Sequence, residues 1–201
     1  DRTELEYAIN FKLGQKNLLI TFHPVTLDVG TAAEQMEELL VALDTLNETH
    51  LIFTLPNADT DGRILINMIE QYVKNRSNAC VFTSLGQKRY LSCVYYVDGV
   101  VGNSSSGLAE VPSFRKGTIN IGDRQRGRIQ TESVINCEPN RQDIKAAIEK
   151  LYDQDFQTSL KDVKNPYGEG GASEKTVKVI SSISLDEILK KRFYNLGDTC
   201  V

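Results

Sequence analysis

Three groups of residues have the types and spacing for chemistry on a phosphorylated ligand. Gly102-Asn103-Ser104-Ser105-Ser106-Gly107 leads into Leu108-Ala109-Glu110-Val111. That order collects free backbone N–H groups and small hydroxyls at the start of a predicted helix, which attracts phosphate. Glu110, one turn into that helix, can accept hydrogen bonds from a pair of sugar hydroxyls. Arg124, Arg126 and Arg128 make a dense cationic loop, and the planar guanidinium fork suits bidentate contact with a diphosphate. His23, just ahead of Pro24, offers an imidazole as general acid or base or as a partner for a charged leaving group. Each group also has a plainer account: turn and cap residues with a solvated Glu110, a solvated charged loop, and a hydrogen-bonded structural histidine. Neither Gly-x-Gly-x-x-Gly nor a Walker motif occurs.

The elements that must position these residues are legible as apolar runs. Leu18 to Phe22 is a short apolar run stopped by His23-Pro24, because the residue before a proline is pushed out of the helical region. Thr31-Ala32-Ala33-Glu34 has capping-box spacing, and Met36, Leu39, Leu40, Leu43 and Leu46 follow on one helix face. His50 then falls at the end of that helix, where a cation complements the macrodipole. Further strands are expected over 51–55, 79–82, 99–101, 117–121 and 133–137, with helices over 61–73, 87–97, 140–152 and 172–193. The strands lack polar alternation, so the reading is a doubly wound α/β domain with a mostly parallel sheet of about six strands, buried on both faces. In such sheets ligands bind beyond the carboxyl ends of the strands. That rule selects His23, Asn57, Asp59, Ser84-Leu85-Gly86, the serine block and the arginine loop. Asp59 is the expected cap of the next helix, and Tyr90, Tyr95 and Tyr96 are spaced for packing rather than base stacking.

Composition bounds the rest. Of 201 residues, 40% are hydrophobic and 25% charged, which suits a globular domain able to bury a full core. A net charge of −4 supplies no basic excess for nucleic acid. No apolar run approaches the ~18 residues of a membrane span. The opening Asp1-Arg2-Thr3-Glu4 is unlike a signal peptide, and a cytoplasmic location is expected. The four cysteines are widely spaced with no Cys-x-x-Cys pair, so they read as reduced thiols packing as small hydrophobes, with no metal and no cofactor expected. The chain begins without a methionine, in residues that already look helical, and is expected to be a piece of something longer.

Four blocks together resemble the C-terminal half of UDP-N-acetylglucosamine 2-epimerases: Thr21-Phe22-His23-Pro24-Val25-Thr26, Pro56-Asn57-Ala58-Asp59, Gly102 to Gly107 with Glu110-Val111, and Gly122-Asp123-Arg124-Gln125 with Gly127-Arg128. Their order and spacing match over nearly the whole chain. The Phe-His-Pro-Val-Thr and Gly-Asn-Ser-Ser forms look like the hydrolysing branch, which makes N-acetylmannosamine for sialic acid synthesis. The resemblance implies a GT-B arrangement of two Rossmann-like domains with the nucleotide sugar between them. Residues 1–201 would be the second domain alone, and the intact enzyme a homo-oligomer. It implies that Ser104, Ser105 and Gly107 hold the diphosphate, Glu110 the ribose, and the backbone around Leu85 the uracil. Asn57 and Arg124 would face the nucleotide. His23 is then the catalytic candidate on this domain, and the catalytic carboxylates lie on the other. The expected partners are a UDP-sugar and UDP. Alternatives are the same chemistry on UDP-diacetylbacillosamine, a non-hydrolysing epimerase, and the donor domain of a GT-B glycosyltransferase. A flavodoxin-like or receiver-like module would need acidic residues after the first strand, where this chain has His23-Pro24.

Overall fold

The computed structural model describes residues 1–25, 30–57 and 61–186. The order is α1 (Arg2–Ile9), β1 (Lys16–Thr21), α2 (Ala32–Leu43), β2 (Thr49–Thr54), α3 (Gly62–Val73), β3 (Ala79–Phe82), α4 (Gly86–Tyr96), β4 (Gly99–Gly102), α5 (Ser106–Ala109), β5 (Gly117–Ile121), β6 (Val134–Cys137), α6 (Arg141–Leu151), α7 (Gln154–Ser159) and α8 (Ala172–Ser182). Contacts divide the chain into two compact units, Asp1–Tyr167 and Gly168–Val201. The first holds the sheet. The second contributes α8, which buries none of its side chains.

The sheet has six strands in the order β3-β2-β1-β4-β5-β6, and every adjacent pair is parallel. Strand side chains alternate between two buried faces. Leu18, Ile20, Leu51, Phe53, Ile119 and Ile135 pack with α2, α3 and α6 on one side. Leu19, Ile52 and Val100 pack with α1 and α4 on the other. That double burial explains the unbroken apolar runs. Met36, Leu39 and Leu43 of α2 are fully buried against the first face, each worth about 1.5–3 kcal/mol relative to exposure. Burial pushes the thiols of Cys80 and Cys137 up to about 12 and Cys93 to about 11, so all three behave as small hydrophobes rather than nucleophiles. Among the described residues no helix is long and apolar enough to cross a membrane.

Four local expectations need correction. His50 does not end a helix: it lies inside β2, where Nδ1 meets the Lys12 carbonyl at 2.8 Å. The helix stops at Leu43 with Asp44 as its C-cap, and the apolar Leu46 only prolongs the helical pattern. The Thr31 capping box does not form; Thr31 makes no side-chain cap, and its Oγ1 accepts from Gln35 Nε2 at 3.2 Å. The closing helix ends at Ser182 rather than Phe193, with Ile183 extended as its cap. Tyr95 is 60% exposed, although Tyr90 and Tyr96 pack as expected. The expected role of Asp59 lies outside the described residues.

The helices flanking β1 and β5 on one face are tied at the surface by Glu38 of α2 and Arg141 of α6. Glu38 Oε2 accepts from the Arg141 backbone N–H at 2.7 Å and from Nε at 2.9 Å, and Oε1 also pairs with Nη2. The guanidinium and the backbone N–H lower the Glu38 carboxyl from 4.5 to about 2. A depressed carboxylate contributes stability that is present above the unfolded value and lost as pH falls towards the folded one. The Tm difference between wild type and Glu38→Gln is therefore expected to be full near neutrality and to vanish between about pH 5 and pH 2. A scanning-calorimetry series over that range checks it, and a difference that persists undiminished at the acid end would refute the pairing.

Candidate functional site

Strand order reverses between β1 and β4, the point where crossovers diverge and a crevice opens beyond the carboxyl ends. His23 follows β1 and the serine block follows β4, so the two stand on either side of that switch point. Asn57 follows β2, Leu85 follows β3 and Arg124 follows β5.

β1 and β4 approach closely before they part. Gly102 has φ 137°, and a Cβ there would lie 2.0 Å from the Thr21 carbonyl oxygen. Only glycine fits. The next residue, Asn103, is 1% exposed. Its backbone N–H donates to Thr21 O at 3.2 Å. Its side chain accepts from the His23 N–H at 2.7 Å and donates to the His23 carbonyl at 2.8 Å. Its own carbonyl accepts from Arg124 Nη1 at 3.1 Å and from Gln125 Nε2 at 2.7 Å. Hydrogen bonds thus join the loops after β1, β4 and β5.

His23 is buried, at 8% exposure. Its Nδ1 accepts from the Asn57 backbone N–H at 3.3 Å, which places the proton of the neutral ring on Nε2. Asn57 itself is exposed. Beneath these loops the Thr21 and Thr54 hydroxyls pair at 2.6 Å, so the carboxyl ends of β1 and β2 are polar where their middles are apolar.

Ser104 and Ser105 are half-buried, and Gly107 is buried. Gly107 N–H is bonded to Ser104 O at 3.1 Å, and Leu108 N–H to Ser105 O at 3.1 Å. A Cβ on Gly107 would stand 2.5 Å from Thr118 Cγ2, and Thr118 Oγ1 donates to Gly107 O at 2.8 Å. The serine turn is therefore seated on β5. The Tyr90 hydroxyl donates to Ser106 Oγ at 2.6 Å. Burial raises the Tyr90 hydroxyl to about 12; the bond to Ser106 works the other way, and the nearby Glu110 carboxylate adds to the rise.

Glu110 does not sit one turn inside a helix. α5 spans only Ser106–Ala109, Glu110 caps its end, and a 3-10 turn follows over Val111–Phe114. Pro112 contributes, since it has no N–H to donate to the Leu108 carbonyl and continue the α-helical ladder. Glu110 is left exposed at the joint. Leu85 is 3% exposed and its side chain belongs to the core, so only its backbone borders the strand ends. The three arginines separate: Arg124 is held by Asn103, Arg128 is exposed, and Arg126 lines a cavity of about 650 Å³ with Asn120, Gln130, Asn136 and Glu138 at the β5–β6 edge.

Two buried residues were not singled out from the sequence, Asn103 and Gln125. Gln125 is 1% exposed, and its Oε1 has no partner among the described residues. For Asn103 the available signal was a polar side chain set directly after the apolar β4, whereas Gln125 lies four residues beyond β5 with no such signal. Among the described residues no group of His, Cys, Asp and Glu is placed to hold a metal ion.

The all-parallel sheet and its order define a Rossmann-like α/β fold, with a switch point between β1 and β4. The family described as UDP-N-acetylglucosamine 2-epimerase matches residues 2–181, and the chain belongs to that family. It is 41% identical over 198 residues to the GDP/UDP-N,N'-diacetylbacillosamine 2-epimerase (hydrolyzing) of Campylobacter jejuni, covering 98% of this chain and 51% of that protein. It is 35% identical to the polysialic acid biosynthesis protein P7 of Escherichia coli, over 88% of this chain and 44% of that one. The chain spans about half the length of these relatives. In fold it is similar to S. aureus MnaA in a structure with UDP, with a TM-score of 0.67 at 18% identity over 88% of this chain and 47% of that one.

Gly102→Ala is expected to cost about 3 kcal/mol or more, because the new methyl meets backbone that cannot withdraw. Chemical denaturation measures it. A loss below about 1 kcal/mol would mean that the strands part more easily than this packing implies.

Proposed function

We propose that this chain is the UDP-binding half of a hydrolysing UDP-N-acetylglucosamine 2-epimerase. The observation that carries the reading is the hydrogen-bonded linkage of His23, Asn103 and Arg124 at the switch point, next to the serine turn. Ser104, Ser105 and the backbone before Gly107 hold the diphosphate. Glu110 accepts from the ribose hydroxyls, the backbone at Leu85 borders the uracil, and Asn57 and Arg124 face the nucleotide.

In the reaction, a base removes the proton at C2 of the sugar, the C1–O bond breaks, and UDP leaves with the bonding electron pair. Water then adds across the glycal-type double bond, placing hydroxyl on C1 and a proton on C2 from the opposite face, and free N-acetylmannosamine is released. Negative charge grows on the departing diphosphate. Preorganised donors in a dry site favour that charge more in the transition state than in the ground state. With Nδ1 accepting from Asn57, neutral His23 already carries its donor on Nε2 and needs no additional proton to assist. Arg124 supplies a permanent charge and a planar fork.

A second reading keeps the chemistry and changes the sugar to UDP-diacetylbacillosamine. The 41% identical relative favours it, since that protein is named for the diacetylated sugar and a hydrolysing outcome.

Calorimetric titration of the chain with UDP, beside UMP and GDP, tests the site. UDP is expected to bind selectively. Arg124→Ala and Glu110→Ala are each expected to weaken it about 10- to 100-fold, the worth of a charge-assisted hydrogen bond. If neither substitution weakens UDP, the site assignment fails. Product analysis on the protein at its relatives' full length tests the reaction: a free, C2-inverted sugar without any acceptor is expected. Transfer to an acceptor would instead make this a glycosyltransferase donor domain. Supplying each UDP-sugar in turn separates the two epimerase readings.

A further inference from the structure

The ladder between β1 and β4 closes with the Asn103 N–H on Thr21 O at 3.2 Å. One rung further, no peptide of β4 faces the backbone of His23, and the carboxamide of Asn103 stands there instead. It has a peptide's own pair of groups. Oδ1 accepts from the His23 N–H at 2.7 Å, and Nδ2 donates to the His23 carbonyl at 2.8 Å. The other end of the same residue meets Arg124 Nη1 at 3.1 Å and Gln125 Nε2 at 2.7 Å through its carbonyl. Both lone pairs of that oxygen are used. Aspartate would lack the donor for His23 O, and leucine would lack both groups.

We propose that Asn103 is a positioning residue. Its carboxamide fixes the His23 backbone so that the ring keeps Nδ1 on the Asn57 N–H and its proton on Nε2, while its carbonyl sets Arg124 beside it. The inference rests on the preceding reading for what His23 and Arg124 face.

The chain has two histidines, which gives the test an internal control. His50 Nδ1 lies 2.8 Å from the Lys12 carbonyl and must carry its proton there, whereas His23 carries its proton on Nε2. Two-dimensional proton–nitrogen spectra at about pH 8.5, some two units above the ordinary imidazole value, distinguish these tautomers. In Asn103→Leu the two nitrogen shifts of His23 are expected to move towards a common average while those of His50 stay in place. Asn103→Asp, which keeps the acceptor, is expected to move them less, and it carries the test if the leucine variant does not fold. Unchanged His23 shifts in a folded variant would overturn the proposal.

A UDP titration adds a second readout. Asn103→Leu is expected to raise the dissociation constant about tenfold. Combined with His23→Ala, the losses should fall short of multiplying, because one residue acts through the other. Full multiplication overturns the linkage. If the unsubstituted chain binds no UDP, the functional reading fails, and the tautomer comparison still decides whether Asn103 positions His23.

Discussion

Where β1 and β4 separate, the backbone of His23 leaves the sheet with an N–H and a carbonyl that parallel pairing no longer serves. Buried peptide groups without partners are costly, so something must take them. Gly102 permits the approach by leaving no Cβ against Thr21 O, and Asn103 then arrives close enough to bond both groups. Pro24 follows and has no N–H to satisfy. The histidine at the switch point and the arginine after β5 are both held through this one residue, Asn103.

The same economy shapes the whole carboxyl edge. Strand middles are apolar on both faces, while the ends carry the Thr21–Thr54 hydroxyl pair and the Asn120–Asn136 amide contact at 2.8 Å. β1 and β2 are thus polar at their ends and apolar between, whereas β5 alternates, with Thr118 and Asn120 on one face and Ile119 and Ile121 on the other. Gln125 and Asn120 each commit an amide nitrogen to the protein and keep an oxygen with no partner among the described residues. Such groups stabilise the fold poorly and suit an edge shaped for something other than packing.

The sheet was legible because parallel strands buried on both faces write themselves as uninterrupted apolar runs, and the topology followed from their alternation with helices. The errors came where one residue overrides a pattern. Leu46 prolongs the helical spacing of α2, yet the chain has already turned, so His50 went to the wrong element. Pro112 cuts α5 to a single turn and moves Glu110 from a helix interior to a joint. The site blocks were visible as polar residues after strands, but the identity of the hub was not. Asn103 looked like one member of a serine-rich turn, and its bonds to His23 and Arg124 join positions about 80 and 20 residues away in sequence, a relation that no local rule of spacing encodes.

Under the proposed function, a chain with net charge −4 has to hold a diphosphate with local donors rather than an overall field. That separation has a chemical consequence for the proposed reaction. Proton abstraction at C2 needs a group that is an effective base, whereas departure of UDP needs donors and cations. A carboxylate beside Arg124 and the serine turn would have its basicity lowered by the same charges that assist the leaving group. Among the described residues, Glu110 stands at the α5 joint near Tyr90, outside the His23–Asn103–Arg124 linkage, while Asp123 directly precedes Arg124 and is exposed. A linkage of His23, Asn103 and Arg124 that presents donors and a cation suits the leaving-group half of the proposed elimination. In the proposed reaction the base therefore works best away from these charges, on a group that Arg124 and the serine turn do not face.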